Sequence, residues 1–243
     1  MKVELNKNII HFKEVNSTNE TARKYLKENK FQDDFVITAD FQKSGKGQLL
    51  NSWNSERGKN LLISIVLNLD INVTNQFYLN IVSSLSVIDV LEKHNFKNLS
   101  IKWPNDILIN KKKVGGILIQ NFVKQDKILQ TIIGLGLNIN QTDFANYNRK
   151  ATSFCLESNA SFSVNQIRDE FVKKITKRLS MSEKKNSDDY LSYLYLKDKA
   201  SIFEVDNSIK IGIIRSVSRD GFLVLELEDS TKKFTLQEIK YLS

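Results

Sequence analysis

The pattern of hydrophobic and polar positions divides the chain into a larger α/β body and a short β-rich tail. In the body, residues 75–94 predict the longest helix, because their apolar side chains form one wide stripe at helical spacing. Residues 17–29 predict a shorter helix that Ser17 or Thr18 could cap. Further helices are predicted over residues 164–179 and 188–196. Short apolar runs predict strands over residues 9–15, 35–41, 60–69, 100–103, 106–109, 114–123 and 128–138, the last two forming a hairpin.

From about Ala200 onward, the pattern changes to that of consecutive short strands. Asp220 and Gly221 supply a turn between two of them. The predicted strands of this tail are residues 209–217, 222–227 and 232–236. They predict a small β-barrel, which is too small to be very stable alone and is therefore expected to pack on the body. We accordingly predict two domains, residues 1–198 and 199–243.

Composition narrows the possible functions. No apolar run reaches the ~18 residues that a membrane helix needs, and the N-terminus lacks the apolar core of a signal peptide. Cys155 is the single cysteine, which excludes an internal disulfide and a cysteine-based zinc site. His11 and His94 are the only histidines, so a transition-metal enzyme is disfavoured. We expect a cytoplasmic protein without membrane association.

The net charge of +8 leaves two interpretations open. The lysines are scattered, with Lys111–Lys113 as their one run, and this favours an ordinary solvated surface. The alternative is that the charge steers anionic partners such as ATP or an acidic carrier domain. A basic module that binds nucleic acid would interleave aromatic and basic residues on one face, a pattern that the sequence does not show.

The first candidate site is a glycine-containing loop that follows the predicted strand 35–41 and leads to Trp53. Gly45 and Gly47 enclose Lys46, so the backbone could approach a ligand closely and direct N–H groups at an anion. The spacing is not that of a P-loop. A plain hairpin turn explains the same residues equally well.

The second candidate site joins the segment KWPND, residues 102–106, to Lys113 and the two glycines that follow it. Pro104 breaks the strand pattern and would hold Asn105 and Asp106 at a strand end, where their side chains reach a cleft. Lys113 could enter that cleft as a cation, while the glycines leave room for a bulky ligand. A surface turn with a solvated lysine is the alternative.

The third candidate site is the segment Gly134-Leu135-Gly136-Leu137-Asn138. Glycines weaken an apolar strand, so another group is expected to pack closely against this backbone. Asn138 could then present an amide to a base edge or a phosphate. A bulky neighbouring side chain over the glycines is an equally good explanation.

Taken in order, these segments and Ser17-Thr18-Asn19 resemble the biotin–protein ligases, clearly over residues 9–140 and more weakly beyond. The resemblance implies an α+β fold: a mixed β-sheet flanked by helices, similar to class II aminoacyl-tRNA synthetases, with a small C-terminal SH3-like β-barrel. It implies ATP-dependent activation of biotin to biotinyl-5'-AMP, followed by transfer to a lysine of a biotin carboxyl carrier protein. ATP, Mg²⁺ and biotin would be the small molecules bound, and a homodimer is possible. A helix-turn-helix ahead of residue 9 would not fit, so we expect no DNA binding.

The resemblance also implies roles for individual residues. Hydroxyl and amide groups would bind the ureido ring of biotin, and the residues expected to contact biotin are Ser17, Thr18, Gln42, Lys46, Gly47, Lys113, Gly115 and Gly116. The residues expected to contact ATP or the adenylate are Lys46, Gln48, Trp53, Lys102, Asn105, Lys113 and Asn138, with Trp53 stacked on adenine. Lys113 would be the catalytic residue, as an electrostatic stabiliser rather than a base, and Asp106 would contact Mg²⁺. A lipoate–protein ligase is the nearest alternative, because it shares this chemistry and general fold.

The glycine loop departs from the pattern of that family, in which it is often Gly-Arg-Gly-Arg-x-Gly-Arg-x-Trp. Lys46, Gln48 and Asn51 stand at the three arginine positions, and Leu50 replaces a glycine. Lysine offers a point charge in place of a forked donor, and glutamine offers no charge. We therefore predict that biotinyl-AMP leaves this protein faster than it leaves an arginine-rich homologue. The release half-life measured on both purified proteins checks this, and equal half-lives would refute it.

Overall fold

The computed structural model describes residues 5, 8–28, 33–49, 51–144 and 151–242. Its helices are α1 (Thr18–Lys27), α2 (Tyr78–Lys93), α3 (Phe154–Ser158), α4 (Val164–Leu179) and α5 (Glu183–Tyr193), with a short 3-10 helix at Val73–Asn75. Its strands are β1 (Ile9–Phe12), β2 (Phe35–Ala39), β3 (Leu61–Asn72), β4 (Leu99–Lys102), β5 (Asp106–Ile109), β6 (Lys112–Lys124), β7 (Lys127–Leu137), β8 (Ala200–Val205), β9 (Ser208–Val217), β10 (Leu223–Glu226), β11 (Thr231–Phe234) and β12 (Ile239–Tyr241).

A seven-stranded mixed sheet, in the order β1-β2-β3-β7-β6-β5-β4, forms the body. The β1–β2 pair is parallel and the other pairs are antiparallel. Side chains of the central strands are buried on both faces, because α1 packs on one face and α2 and α4 pack on the other. The α+β prediction with helices flanking a mixed sheet is therefore confirmed.

The terminal strands form a second, antiparallel sheet in the order β11-β10-β9-β8-β12. Strands β11 and β12 are its two edges, so strand pairing among the described residues does not close the predicted barrel. The sheet docks on the body where the Trp103 indole N–H donates to the Gly221 carbonyl over 2.9 Å. Gly221 has a φ of +95° and packs against Phe77, so this turn needs glycine for both conformation and space.

Most element boundaries agree with the sequence pattern, and the differences are local. Helix α4 has its predicted ends, and the β6–β7 hairpin is confirmed. Strand β6 begins at Lys112, two residues before its predicted start at residue 114, and so includes Lys113. Helix α5 begins at Glu183 and not at residue 188, because Ser182 caps it. Strands β8 and β12 were not predicted, and the end of the first predicted helix, residue 29, lies outside the described residues. None of the described helices is long and apolar enough to cross a membrane.

Glu170 on α4 joins two helices that cover the sheet. Its side chain is 8% exposed and accepts hydrogen bonds from Lys93 over 2.6 Å, His94 over 2.7 Å and Gln166 over 3.1 Å. Burial alone would raise the pKa of Glu170, but these three donors outweigh it and lower the pKa from 4.5 to about 2. The folded state therefore favours the carboxylate.

We expect Glu170→Gln to lower the free energy of unfolding by about 2 kcal/mol at neutral pH, because the donors lose their charged acceptor. A lowered carboxylate pKa stabilises the protein above the unfolded-state pKa and ceases to do so as the pH falls through the folded-state value. The difference between wild type and variant should therefore shrink between about pH 4.5 and about pH 2. Urea unfolding at several pH values measures it. The neighbouring, half-exposed Asp169 provides the matched control, since Asp169→Asn should change stability little; equal losses in both variants would contradict the assignment.

Candidate active site

Two glycines of β7 admit large side chains onto one face of the sheet. Gly134 and Gly136 are two residues apart and so point to the same face. A Cβ on Gly134 would lie 2.3 Å from Asn19 Oδ1, and a Cβ on Gly136 would lie 2.3 Å from the Trp53 ring. The start of α1 and the end of the glycine loop thus lie side by side along β7. Of the two explanations for this segment, close packing by side chains is the one that the structure displays.

The residues predicted to bind a ureido ring form a connected polar cluster. The backbone N–H of Thr18 donates to Gln42 Oε1 over 2.7 Å, and the Thr18 hydroxyl lies 3.0 Å from the same oxygen. Ser17 precedes α1 as its N-cap, yet its hydroxyl makes no capping bond and is buried. The Thr18 hydroxyl and the Gln42 amide thus meet at the N-terminus of α1, directly after the buried Ser17. That these groups bind a ureido ring stays a prediction.

A β-bulge brings Lys113 to the same face as Gly116. Leu108 pairs with Lys113, whereas Ile107 pairs with Gly115, so one residue of β6 is extra at this point. In a regular strand, residues three apart would point to opposite faces. Here a Cβ on Gly116 would lie 3.3 Å from both Lys113 Nζ and the Trp53 ring, whereas Gly115 faces Leu137 on β7.

Lys113 lies between a carboxylate and an aromatic ring. Its Nζ lies 2.5 Å from Asp106 Oδ1, and it stands 5.7 Å from the centroid of the Trp53 ring. The Asp106 side chain is only 9% exposed, so the ion pair is largely shielded from water. A partly buried cation beside an aromatic face and a glycine is an arrangement that can hold an anion against a flat ring.

The glycine loop folds as a small hairpin. The Trp53 N–H donates to the Gly45 carbonyl over 2.9 Å, and the Gly47 N–H donates to the Asn51 carbonyl over 2.8 Å. Gln48 Oε1 and Trp53 Nε1 are buried without a hydrogen-bond partner among the described residues. Such orphaned polar atoms are costly unless another group satisfies them, so both are suited to meet a ligand. Leu50 lies outside the described residues.

Lys46 of this loop forms an ion pair with Glu20 on α1. Both side chains are about half exposed, at 55% for Lys46 and 44% for Glu20, so the pair contributes little to stability. The lysine can therefore exchange this partner for an anionic ligand at small cost. The contact nevertheless ties the loop to the helix that carries Thr18.

Three of the predicted nucleotide-binding side chains are engaged elsewhere. Asn105 Nδ2 donates to the Ile117 carbonyl over 2.6 Å, and Asn138 Nδ2 donates to the Thr152 carbonyl over 3.0 Å. Both amides thus hold backbone segments beside the site. The Nζ of Lys102 stands 4.3 Å from the ring centroid of Tyr241, which belongs to the terminal sheet. Their contacts to a nucleotide stay predictions.

Sequence reasoning gave no role to two buried residues of the site: Asn19, which it named only within the segment Ser17-Thr18-Asn19, and Ser64, which it did not name. Asn19 Nδ2 donates to the Leu118 carbonyl over 3.3 Å, and the Ser64 hydroxyl lies 2.6 Å from Asn19 Oδ1 and 2.8 Å from Thr18 Oγ1. The one available signal for Ser64 was a lone hydroxyl within the apolar run of β3. Its partners lie more than forty positions away in sequence, which is why spacing alone did not reveal it.

One face of the sheet therefore carries neutral polar groups at one end and a shielded cation with an aromatic ring at the other. Residues 11–138, which supply all of these groups, match the model of the biotin/lipoate A/B protein ligase family. The chain belongs to this family. The matched residues include the segments that resembled biotin–protein ligases, from the start of α1 to Asn138.

Individual members of this family are similar to the chain over different lengths. The bifunctional ligase/repressor BirA of Bacillus subtilis is 33% identical over 137 residues, which are 56% of this chain and 42% of that protein. The chain therefore matches less than half the length of that relative. BirA of Escherichia coli is 25% identical over 232 residues, covering 93% of this chain and 71% of that protein. The biotin protein ligase of Aquifex aeolicus, solved in complex with biotin and ATP, has a TM-score of 0.76 at 26% identity and covers 96% of this chain and 98% of its own.

Proposed function

We propose that this protein is a biotin–protein ligase, which activates biotin with ATP to biotinyl-5'-AMP and transfers the biotinyl group to a lysine of a carrier domain. The observation that carries the proposal is the meeting of Lys113, Trp53 and Gly136 on the face of the sheet that also carries the Thr18 cluster. The similarity to a ligase solved with biotin and ATP supports it.

In the first step, a carboxylate oxygen of biotin attacks the α-phosphorus of ATP, and pyrophosphate leaves. Two anions must approach each other, so a fixed cation is needed to stabilise the charge that develops between them. Lys113 would supply it, exchanging its contact with Asp106 for the carboxylate and the α-phosphate. ATP would enter as its Mg²⁺ complex, and Asp106, which pairs with Lys113 in this structure, would supply a carboxylate oxygen of the kind that Mg²⁺ binds.

In the second step, the deprotonated amine of a carrier lysine attacks the acyl carbon of biotinyl-AMP. An amide bond forms and AMP leaves, so no covalent intermediate on the enzyme is required. Lys113 again stabilises negative charge on the phosphate as the bond to the acyl carbon breaks. Trp53 would stack on the adenine, and Gly116, which lies against this ring, has no side chain that would crowd the space beside Lys113.

Several finer features belong to the same proposal. We propose a catalytic domain of residues 1–198 and a terminal domain of residues 199–243 that is related to the SH3-like barrels, with Mg²⁺ contacted by Asp106. The partner protein would be a biotin carboxyl carrier domain, as in a biotin–[acetyl-CoA-carboxylase] ligase. The cytoplasmic location, the absence of DNA binding and a possible homodimer stay predictions.

The test is incubation of the purified protein with biotin, ATP, Mg²⁺ and a biotin carrier domain, read by intact-protein mass spectrometry. We expect the carrier to gain the mass of one biotinyl group, and a carrier with its acceptor lysine changed to arginine to gain none. Lipoate in place of biotin should give no product. Transfer of lipoate but not of biotin would replace the proposal with a lipoate–protein ligase, and no transfer of either would refute both.

A further inference from the structure

Asn19 and Ser64 are two buried, hydrogen-bonded side chains next to Thr18. Ser64 is 0% exposed and Asn19 is 5% exposed. Neither side chain reaches the surface where a ligand would lie, and both bond to the residues around Thr18. The Ser64 hydroxyl has one proton and the Asn19 amide has donors only on its nitrogen, so the positions of their partners fix the direction of each hydrogen bond.

The orientation of the Asn19 amide is set by the backbone of β6. Its Nδ2 lies 3.3 Å from the Leu118 carbonyl, an acceptor, so the nitrogen must face that strand and Oδ1 must face Ser64. An amide oxygen carries no proton. The 2.6 Å contact between Ser64 and Asn19 Oδ1 therefore uses the single proton of the Ser64 hydroxyl.

The orientation of Gln42 is set in the same way by the backbone of Thr18. The Thr18 N–H donates to Oε1 over 2.7 Å, which identifies that atom as the oxygen. The Thr18 hydroxyl thus has two neighbours that can only accept: Gln42 Oε1 at 3.0 Å and the oxygen of Ser64, whose proton is already used, at 2.8 Å. The Thr18 proton points inward to one of these, so a ligand group that approached Oγ1 from another side would meet a lone pair.

We propose that Ser64 and Asn19 are positioning residues that lock the Thr18 hydroxyl as a hydrogen-bond acceptor, so that the site selects a ring N–H of a cyclic urea. This inference rests on the proposed function and specifies how its substrate is discriminated. A ligand with a hydrogen-bond acceptor at that position would place its own lone pair against a lone pair of the Thr18 hydroxyl. Rejection by an unpaired polar group is much stronger than rejection by shape alone.

The experiment measures binding of three probes by titration calorimetry without nucleotide. The probes are biotin and its two cyclic carbamate isosteres, in which a ring oxygen replaces one or the other ureido N–H. Wild type should bind one isostere about 100-fold more weakly than biotin. In Thr18→Val, which lacks the acceptor, the preference over that isostere should largely disappear, and this identifies it as the isostere whose oxygen faces Thr18.

Ser64→Ala removes the nearer of the two acceptors for the Thr18 proton and leaves only Gln42 Oε1, at 3.0 Å, so the hydroxyl can more easily turn and donate to the ring oxygen. We expect the preference for biotin over the Thr18-facing isostere to fall about tenfold, with the preference over the other isostere unchanged. If Ser64 had a purely structural role, Ser64→Ala would weaken the binding of all three probes alike, and the preference for biotin over each isostere would not change. Ser86→Ala is the matched control: Ser86 is also a 0% exposed serine, it bonds within α2 to Val82, and its loss should change neither ratio.

Ser64→Cys covers the case in which the alanine variant does not fold. It keeps a side chain of similar shape but offers only a weak acceptor, so the same ratio should fall in the same direction. Unchanged ratios in a folded Ser64 variant would overturn the inference while leaving the ligase proposal intact. Failure of the wild-type protein to bind biotin at all would instead overturn the proposed function.

Discussion

Replacing Lys113 with alanine is expected to slow the formation of biotinyl-AMP by about 10²- to 10³-fold. The amino group is the only cation that the described structure places beside both Trp53 and Gly116. Without it, the repulsion between the carboxylate of biotin and the α-phosphate is offset much less. Binding of biotin alone should change far less, because the ureido ring is held by the separate cluster around Thr18. Single-turnover formation of the adenylate from labelled ATP measures the loss.

The neighbouring lysine supplies the matched control for this variant. Lys112 lies one position earlier on β6. Its Nζ bonds to Glu157 at a distance of 3.0 Å, and this contact is away from Trp53. Lys112→Ala should therefore keep the wild-type rate within a few-fold. Since Lys113→Ala leaves Asp106 as a shielded carboxylate without its cation, thermal unfolding must be compared as well. A folded Lys113→Ala protein with near-normal adenylate formation would remove Lys113 from the mechanism.

Replacing Gly134 with alanine should both destabilise the protein and weaken biotin binding. The added methyl group would lie 2.3 Å from Asn19 Oδ1 and 2.9 Å from its Cγ, so Asn19 has to leave its place. The bonds to Ser64 and Leu118 are then lost in a buried environment, at about 2–4 kcal/mol of unfolding free energy. Because Thr18 directly precedes Asn19 in the chain, we expect the dissociation constant for biotin to rise about 100-fold.

A double variant separates the clash from the loss of the hydrogen bonds. Asn19→Ala with Gly134→Ala removes the side chain that the new methyl group meets, so this protein should be more stable than Gly134→Ala alone. Gly212→Ala in β9 is the control for glycine loss in a strand: its Cβ would press on Leu225, far from the site, and biotin affinity should not change. Urea unfolding and calorimetric titration of all four proteins test this. Wild-type affinity in a folded Gly134→Ala protein would show that Asn19 does not position Thr18 for biotin.

The hydrophobic pattern was sufficient to predict those elements in which apolar residues recur often enough to distinguish helical from strand spacing. Helix α4 and the hairpin of β6 and β7 are of this kind, because each of these elements has 11 or more residues over which apolar positions recur. Strands β8 and β12 were not predicted for the opposite reason. Strand β12 has only three residues, Ile239–Tyr241, and it is held by pairing with β8, more than thirty positions earlier.

The sequence by itself also determined which residue types the site contains, since the glycines, Lys113, Trp53 and the hydroxyls can be identified from short segments. Only the tertiary structure decided which of them meet. A single bulge between β5 and β6 turns Lys113 toward Gly116, and the space above Gly134 is filled by Asn19, which comes from more than a hundred positions earlier. Local periodicity sets the face on which a side chain lies, but strand register and the packing of distant elements set its neighbours, and these depend on the whole chain at once.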